Sequence, residues 1–303
     1  MAKTVVPLSL HTHPKIKDLW KFRNLYLLFL PVALYFIVFS YYPFFKGIVM
    51  SFQANQLLGK RPFVGLENYR AVIADPDFIQ SIGNSLIIGI ADLALYFVLS
   101  LLLALFINEL ASGTMRKFLH TVAYLPYLFS WAVIGGIWLI VFERRGMVNE
   151  LRGLLNLDVV YFWAEPGYSR PLIIGMGVWR SIGYYALLFS VSIISIDPTL
   201  YEAARIDGAS RLTQITKIVI PLLKATMKVI LVLLSIGILT HFDEIYVMQN
   251  PINKPYIRTL LLYVFETGIV NFKLGTATAG ATLVMIGTLA MVGLSRRLTR
   301  YDE

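Results

Sequence analysis

The sequence predicts an all-α membrane protein of six transmembrane helices, and three observations carry that prediction. The 303 residues are 57% hydrophobic, with a mean hydropathy of +0.68. Charged residues make up 15%, against about 25% in a soluble domain. The apolar residues gather in blocks of bilayer-spanning length, since a hydrocarbon core of about 30 Å takes about 20 helical residues.

Composition also excludes several functions. The net charge is +9. Membrane proteins keep Lys and Arg in cytoplasmic loops that face anionic lipid, and no basic block here is interleaved with stacking aromatics, so nucleic acid is not an expected partner. Without cysteine there is no disulfide, thiol nucleophile or thiolate metal site. The histidines His11, His13, His120 and His241 lack metal-site spacing, so no metal is expected. His11 and His13 read as solvated. No Gly-x-x-x-x-Gly-Lys-Ser/Thr stretch occurs; Gly59-Lys60 is followed by Arg61, so the chain has no phosphate-cradling loop of its own. No catalytic constellation is visible, and Glu109, Glu143, Glu150 and Glu165 read as solvated charges near loops. The expectation is a protein that is not an enzyme.

Residues 1–24 form a polar tail carrying Lys3, Lys15, Lys17, Lys21 and Arg23. The first apolar block, about 25–50, is too long for a signal-peptide core and lacks a small-residue cleavage site. It reads as a retained span with the tail inside. Further spans are expected at about 80–108, 118–142, 171–196, 222–248 and 274–295, together a membrane domain over 25–295, with a second tail at 296–303. Pro31, Pro43, Pro126 and Pro171 fall within spans or near their ends, which membrane helices tolerate. Asp75-Pro76-Asp77 is placed to start the helix that leads into the second span. With the N-terminus inside, the inner segments 1–24, 109–117, 197–224 and 296–303 carry 14 Lys and Arg, and the outer loops 51–79, 143–170 and 249–272 carry 9. The bias fits cytoplasmic termini, although Arg144 and Arg145 oppose it. Tyr41, Tyr42, Tyr161, Trp163 and Tyr256 suit an interfacial aromatic belt.

The inner segment 197–221 carries the one strong motif. It reads Tyr201-Glu202-Ala203-Ala204-Arg205-Ile206-Asp207-Gly208-Ala209-Ser210 and closes on Ile218-Val219-Ile220-Pro221. Asp197 is a plausible N-cap with Pro198 in the first helical turn. Ala203 and Ala204 keep one face small, so another surface can approach. Gly208 permits a bend that a Cβ would penalise, and Pro221 marks the boundary with the next span. Two short helices joined by a bend are expected.

This segment resembles the EAA loop of ABC importer permeases: Glu-Ala-Ala, three residues, Gly, nine residues, Ile-x-Leu-Pro. Glu202, Ala203, Ala204, Gly208, Ile218 and Pro221 match at the family's spacing, with Ile220 in place of Leu. Phe63-Val64-Gly65-Leu66-Glu67-Asn68-Tyr69, Asn84, Trp179 and Phe242-Asp243-Glu244-Ile245-Tyr246-Val247 are similar to stretches of the maltose-type carbohydrate permeases. Met248-Gln249-Asn250-Pro251-Ile252 with Ala277-Thr278-Ala279-Gly280 resembles a narrower group linked with complex or acidic oligosaccharides, including alginate.

The resemblance implies the type I ABC importer permease fold in a bacterial inner (cytoplasmic) membrane. It implies coupling to an ATPase through Glu202, Ala203, Ala204, Asp207 and Gly208. It also implies as partners a second permease, two copies of an ABC ATPase that bind ATP and Mg, an extracytoplasmic solute-binding protein and a carbohydrate. The chain itself then needs no cofactor. A permease for another small solute, a secondary transporter and a membrane enzyme are the alternatives. No inverted repeat supports the second, and no convergent carboxylate, His or metal set the third.

Ionisable groups inside spans are expensive and usually face a cavity or a partner. Asp92, Arg180, His241, Asp243 and Glu244 are such groups. Sugar sites combine aromatic faces with hydrogen-bonding groups, and a cation suits a uronate carboxylate. Trp179, Arg180, Tyr184, His241, Asp243 and Tyr246 are therefore the expected path-lining residues. The competing readings are Arg180 paired with Asp92 or holding helix ends together, and Asp243 and Glu244 serving packing at an outer gate.

Overall fold

The computed structural model describes residues 23–56, 59–110 and 113–299. Most of the polar N-terminal tail, with His11 and His13, and the last four residues lie outside them.

Two units separate after Val49. The first holds α1 (Arg23–Phe36), a π-helical turn (Ile37–Tyr41) and nearly all of α2 (Tyr42–Met50). Together they make one apolar helix of 28 residues, none of its span window buried. Pro31 sits inside α1.

The second unit begins its membrane part with α3 (Glu67–Ala74) and α4 (Pro76–Leu110). The Asp75 carboxylate accepts the Asp77 N–H at 2.9 Å, satisfying one of the donors a helix start leaves free. The 35-residue α4 packs most extensively on α8 (Pro166–Ile194). Small residues let the backbones approach. A Cβ on Gly183 would overlap the Ala123 carbonyl, and one on Gly177 would overlap the Tyr96 hydroxyl. Phe97 and Phe189 meet edge to face at 5.7 Å between them.

Two expected spans are broken. The block at 118–142 divides into α5 (Gly113–Tyr124), a 3-10 turn (Leu125–Leu128) and α6 (Trp131–Val141), and its halves meet at 98°. Pro126 cannot donate to the helix ladder, and the Ser130 hydroxyl caps the restart by accepting from Val133 N–H at 3.4 Å. The block at 222–248 turns by 62° around Leu223 and continues as a helix over Lys224–Gly237, where it ends. Thr240, His241 and Phe242 are non-helical before a short helix, Asp243–Met248. The last long helix is Leu274–Thr299. Among the described residues, counting each bent pair as one span gives six, by length and composition.

In the loop that follows α8, α9 (Pro198–Ile206) and α10 (Arg211–Gln214) are the two short helices the motif predicts, followed by a π turn (Ile215–Val219) and then α11 (Lys224–Gly237).

Candidate functional site

Two places answer the sequence's functional signals, and they differ in character. The first is the loop 197–221. Asp197 accepts the Thr199 N–H at 2.9 Å, and that backbone hydrogen bond holds its carboxyl below the usual carboxylate range. The C-terminus of α9 closes as a Schellman motif: Gly208 N–H donates to Arg205 O at 3.1 Å and Ala209 N–H to Ala204 O at 2.8 Å. That closure requires the left-handed φ of +75° at Gly208, which glycine adopts without a Cβ penalty. Ser210 caps α10 through Thr213 N–H at 3.2 Å. Glu202, Ala203, Asp207 and Gly208 are exposed and Ala204 is half-buried. Ile206 is 86% and Leu212 71% exposed, so the loop offers apolar side chains that this chain leaves uncovered. On its other side Tyr201 packs on the core cluster of Phe189, Ile193 and Val219. Arg211 reaches Glu109, at the C-terminal end of α4, at 3.5 Å. The loop therefore has capped helices and touches two long helices, α4 and α8.

The second place is a cavity of about 270 Å³ beside the middle of α4. Gly89, Asp92 and Tyr96 line it from α4, Arg180 and Tyr185 from α8, and His241 from the non-helical segment. Asp92 is only 4% exposed. Its Oδ2 accepts from the Tyr96 hydroxyl at 2.9 Å and faces His241 Nε2 at 3.6 Å. His241 Nδ1 bonds Glu244 Oε1, and the His241 carbonyl accepts from Thr259 Oγ1 at 2.7 Å. The imidazole thus bridges two carboxylates, which is how buried charges become tolerable.

Arg180 is not Asp92's partner. Its guanidinium lies over Trp131 (4.3 Å) and Tyr127 (4.8 Å), a stacked cation–π arrangement. Its Nε and Nη2 donate to the Phe129 and Tyr127 carbonyls at 3.3 Å. Those carbonyls belong to the kink after Pro126, where the helix ladder leaves them free. Arg180 therefore ties α8 to the break.

Of the six expected path residues, Arg180, His241 and Asp243 line the cavity, Asp243 from an exposed position. Trp179, 40% exposed, lies on the neighbouring face against Trp138 at 6.4 Å. Tyr184 stacks on Tyr127 at 4.4 Å and 11°, behind the wall. Tyr246 is exposed and stacks on Phe242 at 5.5 Å. Sequence reasoning placed Asp92 and Glu244 inside spans without setting them on the path, and it passed over Tyr96, Tyr127, Trp131 and Tyr185. Local signals existed: Asp92/Tyr96 at i,i+4 and His241/Glu244 at i,i+3. Asn84 has a positional role. Its amide donates to the Pro255 and Arg258 carbonyls at 3.0 Å, and its Oδ1 accepts from Arg170 at 2.8 Å, pinning the segment 255–258 and the start of α8 to α4. Among the described residues no group of three His, Asp or Glu side chains converges as a metal site.

Residues 96–300 match the family described as binding-protein-dependent transport system inner membrane component. The chain is 31% identical over 285 residues to the polygalacturonan/rhamnogalacturonan transport system permease protein YteP of Bacillus subtilis (strain 168), covering 92% of this chain and 88% of the relative. It superposes, with a TM-score of 0.87 and 30% identity, on a chain from the crystal structure of a bacterial ABC transporter involved in the import of the acidic polysaccharide alginate, covering 94% of this chain and 97% of that one. A structure of bacterial alginate ABC transporter in complex with alginate pentasaccharide-bound periplasmic protein gives 0.86 and 30%, covering 94% and 96%.

Proposed function

We propose a transport role on one premise: the chain belongs to the family of binding-protein-dependent transport system inner membrane components. It is a multi-pass protein of the inner membrane. In our reading it is the permease subunit of an ATP-driven importer, supplies half of a translocation path, and passes an oligosaccharide delivered by an extracytoplasmic binding protein. A second permease supplies the other half. Two ATPase subunits bind ATP and Mg and do the hydrolysis. The names of similar proteins, a polygalacturonan/rhamnogalacturonan transport permease and an ABC transporter that imports alginate, support an oligosaccharide as cargo.

The observation that carries the reading is α9. A helix capped at both ends stands between two long helices with Ile206 largely exposed and Glu202-Ala203-Ala204 at the family's spacing. A small-residue face beside an uncovered apolar side chain fits docking into a cleft of another protein. Tyr201 and the Arg211–Glu109 pair then carry the movement of the docked ATPase into the membrane helices. This role puts loop 197–221 and both termini in the cytoplasm, with residues 25–295 as the membrane domain.

Reconstitution tests it. Proteoliposomes holding this chain, its second permease and the ATPase, supplied with binding protein, should take up tri-galacturonate only when ATP is present on the ATPase side. Uptake without ATP, or without the ATPase subunit, would overturn the importer reading.

A further inference from the structure

Arg144 and Arg145 stand against the positive-inside trend, and the short helix α7 (Met147–Leu154) follows them. The transport role above uses none of these residues. At about 100° per residue, Leu154, Met147, Leu151 and Leu155 share about a third of the circumference, and Asn149 lies opposite. Exposure runs the reverse of a soluble amphipathic helix. Asn149 is 4% exposed, whereas Leu154 is 79% and Leu155 71% exposed, and Met147 and Leu151 are exposed with them. Asn149 turns inward because it clamps the unit. Its Nδ2 donates to the Glu143 and Val160 carbonyls at 3.0 and 2.9 Å, and its Oδ1 accepts from the Val160 N–H at 3.0 Å.

Three observations say what covers the apolar stripe. First, α7 starts where a membrane helix ends. A Cβ on Gly146 would overlap the Ile140 and Val141 carbonyls, so the start of α7 abuts the last turn of α6, where Ile140 is exposed as well. Second, the flanking groups suit headgroup level. Arg144 lies over the exposed Tyr161 ring at 5.0 Å, and neither Arg144 nor Arg145 meets a carboxylate among the described residues. Third, the stripe is Leu and Met without an aromatic ring, whereas binding energy between proteins concentrates in Trp, Tyr and Arg, with Leu under-represented. Arg144, Arg145 and Arg152 are balanced by Glu143, Glu150 and Asp158, so the segment has no net charge with which to select anionic lipid.

We propose that α7 is an in-plane membrane anchor, its leucine stripe buried in the lipid of the extracytoplasmic leaflet. The choice of leaflet rests on the reading above, which puts loop 197–221 in the cytoplasm and the opposite end of α8 outside. From α7 the chain runs through Phe162, buried against Phe142 and Tyr168, into α8. The anchor thus ties the outer end of α8 to the plane of the membrane, while the inner end of α8 meets the loop that answers the ATPase.

Single nitroxide labels test this, since the chain has no cysteine of its own. Leu151→Cys, Leu154→Cys and Gly153→Cys are labelled in the complete complex with cysteine-free partner chains, in nanodiscs of phosphatidylethanolamine and phosphatidylglycerol. Gly153 lies off the stripe, and a Cβ there meets nothing within 4 Å. Collision rates with oxygen and with a water-soluble nickel chelate separate three media. Lipid gives high oxygen and low nickel access, water gives high nickel access, and a protein cover lowers both. The labels at 151 and 154 should read lipid at a depth of about 5–10 Å, and the label at 153 should read water. Neither reading should change when binding protein is added or when phosphatidylcholine replaces both lipids. Water at the stripe overturns the proposal. A protein cover overturns it too, whether present throughout or only with binding protein. A membrane-impermeant maleimide tests the leaflet separately: Gly153→Cys should react from the binding-protein side. Reaction only from the ATPase side would remove the orientation given above, and the assignment of the leaflet with it.

Discussion

Loop 197–221 and the cavity at Asp92 use polar chemistry in opposite ways. In the loop, polar groups serve the backbone: Asp197 and Ser210 cap helix starts, Gly208 closes a helix end, and Glu202 is left exposed. Apolar Ile206 and Leu212 stand uncovered beside them. In the cavity, polar groups serve one another, with Asp92, Tyr96, His241 and Glu244 joined in a buried chain. The loop is shaped to be completed by another protein and the cavity by something smaller. Damage should follow that division: in the loop it should break communication and spare the fold, and in the cavity walls it should strike the fold first.

The largest effect is expected in the loop. Glu202→Lys places a cation on the exposed face of α9. A like-charge or unpaired contact in a docked interface costs about 2–5 kcal/mol, which weakens assembly by roughly thirtyfold or more. Uptake should be lost and the ATPase should dissociate during purification, while the thermal midpoint of the remaining permease pair stays at the wild-type value. Intact uptake and assembly would break the comparison at its strongest point.

The opposite signature is expected at Gly89. It lines the cavity on α4, and a Cβ there overlaps the main chain of Ile238, which cannot move aside as a side-chain tip can. Gly89→Ala should therefore lower stability by about 1–3 kcal/mol through overpacking, seen as a lower thermal midpoint of the purified complex. Gly136 in α6 is the control, since an added Cβ meets nothing within 4 Å. Gly136→Ala should be neutral or stabilising by up to about 1 kcal/mol from helix propensity. Equal responses at the two glycines would mean that close approach at Gly89 is not what holds the cavity wall.

The same division decides what the sequence could reveal. What shapes the loop's two helices is local: the cap, the Schellman glycine and the closing proline all act within about 25 residues, so their spacing alone predicts two short helices and a bend. The long helices were legible from hydropathy. The breaks were not, because a hydropathy average over 118–142 is blind to the Pro126 turn and the Ser130 cap. The break after Gly237 carries no proline at all. The cavity depends on pairs far apart in the chain. Nothing near Asp92 announces His241 as its neighbour, and Arg180 looked like a partner for Asp92 because the carbonyls freed at the kink are invisible in sequence.

The smallest effect sharpens the loop's side of the comparison. Asp197 has a folded-state pKa lowered from 3.8 by the Thr199 N–H. A depressed carboxylate contributes stability that is fully present above its unfolded pKa and is lost as pH falls through the folded value. The start of α9 should therefore be equally protected at pH 7 and pH 5, and should fray only below 3.8. Amide exchange at Thr199–Glu202, corrected for the intrinsic pH dependence of exchange, measures this in the intact complex. Asp197→Asn keeps a capping oxygen and removes the titration, so its protection should stay flat through the same range. The cavity, held by groups elsewhere, should not respond to this variant. If Asp92→Asn and Asp197→Asn altered uptake per ATP alike, the cap and the cavity would belong to one coupled unit, and the division drawn between them would fail.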